Sequence, residues 1–191
     1  AELIWRPAPS MANREALREL QTRLATRLQA ARNEGLSVSW LAVEAGGAHY
    51  LLSLAQSGEI FPWANIQPVP YTQPWFMGVA NLRGGLFGVV DFAGFVASTW
   101  PLGAAAAVRS EQALADSSLL ALNTALDVNV ALLVDSLAGL RGGDAFTSAE
   151  PAPRGTPDYF GKVYVDTQGV RWQEINLQAL SQYSPFLSIS A

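Results

Sequence analysis

From Gly78 to Asp91 the chain reads GVANLRGGLFGVVD, two apolar runs parted by Gly84 and Gly85. A two-residue glycine spacer is what a type I′ or II′ hairpin turn demands, because its backbone needs φ > 0. The stretch therefore predicts a β-hairpin. Side chains alternate along a strand, so Ala80 and Leu82 face one way while Val79, Asn81 and Arg83 face the other. An asparagine and an arginine thus project together from an otherwise apolar hairpin. Two readings of the pair stand side by side: Arg83 lies over a sheet edge while Asn81 satisfies a neighbouring backbone group, or both face a partner.

The same punctuation recurs along the chain. VSWLAVEA and AHYLLSL flank Gly46-Gly47, Leu119 to Asn123 and Val128 to Val134 flank Leu126-Asp127, and Tyr159 to Val165 and Val170 to Ile175 flank Asp166 to Gly169. Each pair predicts a hairpin. A further strand is expected from near Leu137 and a short one around Ile66 to Val69, inside an otherwise loop-rich Gly58 to Pro74. Short helices are expected from Phe92 to Ala97 and from an Asn176 cap to about Tyr183. Pro151, Pro153, Gly155 and Pro157 mark Asp144 to Pro157 as a surface loop. Trp100 to Ala115 is an alanine-rich connection that carries little information. Many short strands with few helices predict an all-β barrel or a pair of barrels. LFGVVDF and ALLVDSL, each an apolar strand ending in Val-Asp, are a faint repeat consistent with two related halves.

Ahead of the strands the period changes. Residues 1–9 read as irregular, with Pro7 and Pro9 stopping an early helix. From Ser10 to Asn33, Leu17, Leu20, Leu24, Leu28 and Ala31 recur at three and four residues, while arginines take mostly other faces. Ser10 or Asn13 is placed to cap this helix and Gly35 to end it. Its leucine stripe either docks on the domain that follows or binds a partner.

Length and composition bound the function. A chain of 191 residues fits one domain or two small ones and buries about 70% of its unfolded surface. The absence of cysteine removes disulfides, thiolate metal sites and cysteine nucleophiles together. A formal net charge of -4 opposes a phosphate backbone as partner. The uncharged runs Ile60 to Leu82 and Phe92 to Val108 are broken by Pro62, Pro68, Pro70, Pro74, Pro101 and Gly103, so neither is expected to span a bilayer. AELIWRPAP has no basic region followed by a long apolar core, and no secretory segment is expected in it.

Catalysis finds little to work with. His49 is the single histidine and falls in a strand, where a structural role is expected, and no G-x-S-x-G nucleophile turn occurs. Asp91, Asp135 and Asp166 each end a strand, where aspartate commonly satisfies turn amides; a metal would require them to converge. Aromatic residues are abundant instead. Most should be core, with Trp75 and Phe76, beside prolines, expected to be the exposed ones.

GVANLRG followed by an apolar strand ending in Val90-Asp91 resembles the signature of the CheW-like chemotaxis coupling proteins, G-V-x-N-x-R-G and then a strand ending V-D-L. Val69-Pro70 and Pro74 match the family's proline-marked approach, LLVDSL its second V-D strand, and YFGKVYVDTQGVRWQEINLQAL its final hairpin and helix. The resemblance covers roughly residues 36–187. Within the family it is most similar to the PilI-type adaptors of type IV pilus signalling, which share an N-terminal extension and wording such as Gln73-Pro74-Trp75.

The resemblance implies a mainly β fold of two small five-stranded SH3-like barrels packed together over residues 36–191, preceded by a mostly helical extension over 1–35. It implies a non-catalytic adaptor without cofactor, cytoplasmic and associated with membrane receptor arrays. Its partners would be the cytoplasmic tip of a chemoreceptor (a methyl-accepting chemotaxis protein) and a CheA-type histidine kinase. The output would be twitching motility, with no nucleic-acid partner and no direct membrane insertion. By the same resemblance, Gly78, Val79, Asn81, Arg83, Leu133, Val134 and Asp135 would form the receptor groove, and Val89 and Val90 would lie beside a kinase-facing surface. Gly88 departs from the family's usual proline and Phe92 from its usual leucine, which bears on partner choice. The alternative is a generic peptide- or ligand-binding β-barrel protein without a kinase.

Overall fold

The structure, a computed structural model, describes residues 11–33, 39–100 and 108–191. Among them α1 (Met11–Asn33) is followed by β1 (Ser39–Ala45), β2 (Ala48–Ser53), β3 (Ser57–Pro62), β4 (Phe76–Leu82) and β5 (Gly85–Asp91). Next come α2 (Phe92–Thr99), α3 (Glu111–Asp116), β6 (Ser118–Leu122), β7 (Val130–Val134), β8 (Ser136–Gly142) and β9 (Phe146–Glu150). The chain closes with β10 (Phe160–Asp166), β11 (Arg171–Ile175), α4 (Leu177–Gln182) and α5 (Ser184–Leu187).

The strands form two mixed sheets, ordered β8-β1-β2-β11-β10-β9 and β3-β6-β7-β5-β4. The chain therefore begins in the first sheet, crosses to the second at β3 and returns at β8. Alternation explains how both are held. One parity of side chains gives each sheet a core of its own: Trp40, Ala42, Leu51 and Trp172 in the first, and Ala80, Leu82, Val89, Leu119, Ala131 and Leu133 in the second. The opposite parity supplies Leu41, Val43, Leu52, Val90, Leu120, Leu132 and Val134 to a larger core shared by both sheets. Strands buried on two faces need few polar positions, which is why LLAL of β6, after Ser118, and VALLV of β7 run apolar without a break. Each such fully buried side chain contributes about 1.5–3 kcal/mol of transfer free energy.

The expected pair of small β units packed on each other is present, and the first has six strands because it gains β9. That strand lies inside the segment read as a proline-rich loop; its residues are mostly exposed and it pairs only with β10, so it has no apolar alternation to betray it. β3 was likewise hidden in Gly58 to Pro74, and the strand expected at Ile66 to Val69 is reduced to a single bridge, Gln67 to Val79. Trp75 and Phe76, expected at the surface, are buried. Trp75 meets Phe95 edge-on at 4.9 Å and stacks parallel to Phe186 at 6.4 Å, so the closing helix covers it.

The central hairpin forms with its turn one residue earlier than expected. Leu82 pairs with Gly85, leaving Arg83 and Gly84 as the loop, with φ of 49° and 81°. Asn81 Oδ1 accepts a hydrogen bond from the Gly84 amide at 2.9 Å, which fastens the turn. Arg83 thus leaves the strand and sits at the tip. Upstream, Gly78 has φ of 132°, and a Cβ there would lie 2.1 Å from the Gln67 carbonyl oxygen, so only glycine fits.

In α1, Leu24 and Leu28 are buried in the shared core, Leu17 is half-buried and Leu20 faces solvent. Gln21 Nε2 donates to the Ser118 hydroxyl at 2.8 Å in a buried contact. The stripe docks on the sheets rather than standing free. Ser10, the Ala31 side chain, Gly35 and the alanine run 101–107 lie outside the described residues.

Candidate functional site

The tip of the β4–β5 hairpin carries exposed polar groups, Asn81 by strand alternation and Arg83 by its place in the turn. Asn81 and Arg83 face solvent and Val79 is half-buried. The Arg83 side chain is 75% exposed, forms an ion pair with Glu59 of β3, and lies over the Phe61 ring at 5.9 Å from its centroid. Leu86, on the other arm of the hairpin, is exposed as well. An arginine held by a surface carboxylate and a ring can exchange those contacts for a partner's at little cost.

Beside this tip runs a groove of about 930 Å³ between α1 and the second sheet. Arg18, Thr22 and Ala25 of α1 line one side, Arg83 and Phe87 of the hairpin the other.

The remaining expected positions fall elsewhere. Leu133 and Val134 are completely buried, and β7 is paired on both edges, so neither offers a side chain to a partner. Val89 and Val90 are also buried, one in each core layer. Gly78 is buried against the bridge to Gln67. Asp135 follows β7, and because β5 and β7 run parallel with Asp91 beside Leu133, it sits at the end of β5 remote from Arg83. Six strand steps, about 20 Å, separate those ends. The seven positions assigned to a receptor groove by resemblance therefore do not form one continuous surface.

Asp135 belongs to a different arrangement. Arg109 Nε donates to Asp135 Oδ1 at 2.7 Å, and Arg109 Nη1 donates to Asp91 Oδ2 at 2.7 Å. Asp91 also accepts from the Gly94 amide, capping α2, while Asp135 Oδ2 accepts from the Gly46 amide at 2.7 Å and the Asp135 amide donates to the Glu44 carbonyl. One guanidinium, 11% exposed, thus ties the ends of β5 and β7 to the β1–β2 turn of the other sheet. Burial by itself would lower the Arg109 pKa, but hydrogen bonds and charge from Asp91 and Asp135 outweigh it and hold the group above its ordinary value. Two of the strand-end aspartates do converge, on a cation the chain supplies itself. Arg109 was missed because it sits in the uninformative alanine-rich connection; its only signal is that it is the lone arginine between the two Val-Asp strand ends.

The third strand-end aspartate, Asp166, accepts the Trp172 indole N–H at 3.0 Å and the amides of Gln168 and Val170, closing its own turn. No group of three or more His, Asp or Glu among the described residues is arranged to hold a metal ion. His49 lies 3.5 Å from Glu44 and packs edge-on against Trp172. Burial pushes the Tyr50 hydroxyl up to about 12, as suits a neutral core phenol. No described helix is long and apolar enough to cross a membrane.

With this geometry in place, comparison with known proteins gives concordant results. Residues 39–184 match the CheW-like domain family. The chain is 25% identical over 171 residues to Protein PilI of Pseudomonas aeruginosa, covering 88% of this chain and 89% of that protein. The fold matches the crystal structure of the scaffolding protein TtCheW from Thermoanaerobacter tengcongensis with a TM-score of 0.56. That match covers 73% of this chain and 89% of the other at 17% identity.

Proposed function

The chain belongs to the CheW-like domain family, and from that premise we propose that it couples a chemoreceptor's cytoplasmic tip to a CheA-type histidine kinase. It is a scaffold of chemosensory signalling, and its similarity to PilI points the output to type IV pilus motility. The exposed hairpin tip carries the reading: Arg83, raised on a glycine turn and held by Glu59 and Phe61 among the described residues, offers a permanent charge and several donors to a receptor helix. Val79 and Asn81 extend that face. Val89, Val90, Leu133 and Val134 act by holding β5 and β7 in place, and Asp135 by fixing the two sheets together. The protein would work in the cytoplasm at receptor arrays.

Reconstitution tests this. The protein is mixed with a receptor signalling fragment and the kinase, and co-sedimentation and kinase autophosphorylation are measured for the natural sequence and for Arg83→Glu. The variant should keep its thermal midpoint and bind the receptor at least about tenfold more weakly, a loss of about 1.4 kcal/mol. Undiminished receptor binding by Arg83→Glu would remove the hairpin tip from the interface; failure of the natural sequence to join receptor and kinase would remove the adaptor role.

A further inference from the structure

We propose that the groove between α1 and the β4–β5 hairpin is a docking site for an acidic amphipathic segment of a protein partner, with α1 as one wall. The inference extends the Arg83 face and rests on that face being a contact surface. The groove's lining mixes polar residues with apolar ones, the latter including Phe61 and Phe87 from the sheet and Ala25 and Leu28 from the helix. Its rims are cationic: Arg18 stands on the helical side and Arg83 on the hairpin side. Among the described residues Glu59 is the single acidic one lining it, and its carboxylate already faces Arg83.

Charge is distributed unevenly enough to select the ligand. The whole chain carries a net charge of -4, yet α1 holds five arginines against two glutamates. Arg14, Arg18 and Arg27 are exposed along it. A cationic helix on an acidic protein concentrates positive potential beside the groove. An acidic segment would be attracted to both rims, and its apolar side chains would cover Phe61, Phe87, Ala25 and Leu28. The Arg83–Glu59 pair opposes it weakly, because exposed pairs contribute about 0–1 kcal/mol. Concavity favours a peptide over a flat bilayer surface, and the negative remainder of the chain disfavours nucleic acid.

The test uses the full chain and a fluorescent synthetic amphipathic peptide with leucine on one face and glutamate on the other. Its lysine counterpart and phosphatidylglycerol vesicles are the controls. Anisotropy should show saturable, salt-sensitive binding of the glutamate peptide and none of the lysine peptide. Arg18→Glu should weaken binding at least fivefold, and Thr22→Trp, whose ring would fill the groove from α1, should abolish it, both with unchanged thermal midpoints. Arg23→Glu, away from the groove lining, should change affinity less than twofold. Equal binding by Thr22→Trp and the natural sequence overturns the proposal, as does vesicle binding that Arg18→Glu abolishes while the peptide stays unbound. Receptor co-sedimentation run in parallel separates the two readings. Failure of the natural sequence to bind the glutamate peptide while it still captures receptor overturns this groove alone, whereas peptide binding without receptor capture supports the groove and overturns the adaptor's partner.

Discussion

Replacing Arg109 with methionine removes the cation that joins the two sheets and leaves Asp91 and Asp135 facing each other without it. Breaking a buried ion pair by deleting one partner costs about 3–5 kcal/mol, because the remaining charge is left uncompensated. Here the cost is shared unequally. The Asp91 carboxylate is 16% exposed and meets nearly the full penalty, whereas that of Asp135 is 38% exposed, so solvent screens much of its share. Each carboxylate also keeps one amide donor, Gly94 or Gly46. We therefore expect a loss of about 3 kcal/mol, equivalent to a fall in thermal midpoint of about 6–12 °C for a chain of this size. Urea unfolding followed by tryptophan fluorescence reads it. Arg109→Met combined with Asp91→Asn and Asp135→Asn should recover most of the loss, since the orphaned charges are then gone. A single Arg109→Met variant within about 0.5 kcal/mol of the natural protein would refute the clamp, as would a triple variant no better than the single one.

Three further outcomes follow from packing and charge. Gly78→Ala places a Cβ 2.1 Å from the Gln67 carbonyl at a φ of 132°, and should cost several kcal/mol in urea unfolding, with Gly84→Ala milder, at about 1–2 kcal/mol, because its φ of 81° strains an alanine but its Cβ meets open space. Leu28→Ala empties a site 2% exposed in the shared core and should destabilise by about 2–4 kcal/mol, while Leu20→Ala, at an exposed position, should stay within about 0.5 kcal/mol; equal effects would mean that α1 does not dock as described. The Trp172 indole, followed by backbone amides, holds the Asp166 carboxyl below its ordinary 3.8. Its stabilising contribution is therefore present above that value and lost as pH falls through the lower folded-state value. An acid titration of stability should be flatter at its acid end in Asp166→Asn, and an unchanged profile would remove the assignment.

Turn chemistry and alternation belong to consecutive residues, and these the sequence determined alone. Gly46-Gly47 turns with both φ positive, Asn176 caps α4 onto the Ala179 amide, Ala80 and Leu82 point inward while Asn81 points out, and Leu24 and Leu28 mark the buried side of α1. Where two local signals competed, tertiary context chose: Arg83-Gly84 and Gly84-Gly85 both satisfy a two-residue turn, and the pairing of Leu82 with Gly85 selected the first. β9 lacks apolar alternation because it is an exposed edge, so only its ladder to β10 reveals it. Trp75 stands beside Pro74 like a surface residue, yet Phe186, more than a hundred positions later, covers it. The candidate site divides the same way. Its exposed arginine was legible in a local motif, whereas the separation of Arg83 from Asp135 along β5 depends on the parallel pairing with β7. Arg109 meets aspartates 18 and 26 positions away. A charge in an alanine-rich stretch carries no record of its partner, because which carboxylates it neutralises is decided only when two sheets bring their strand ends together.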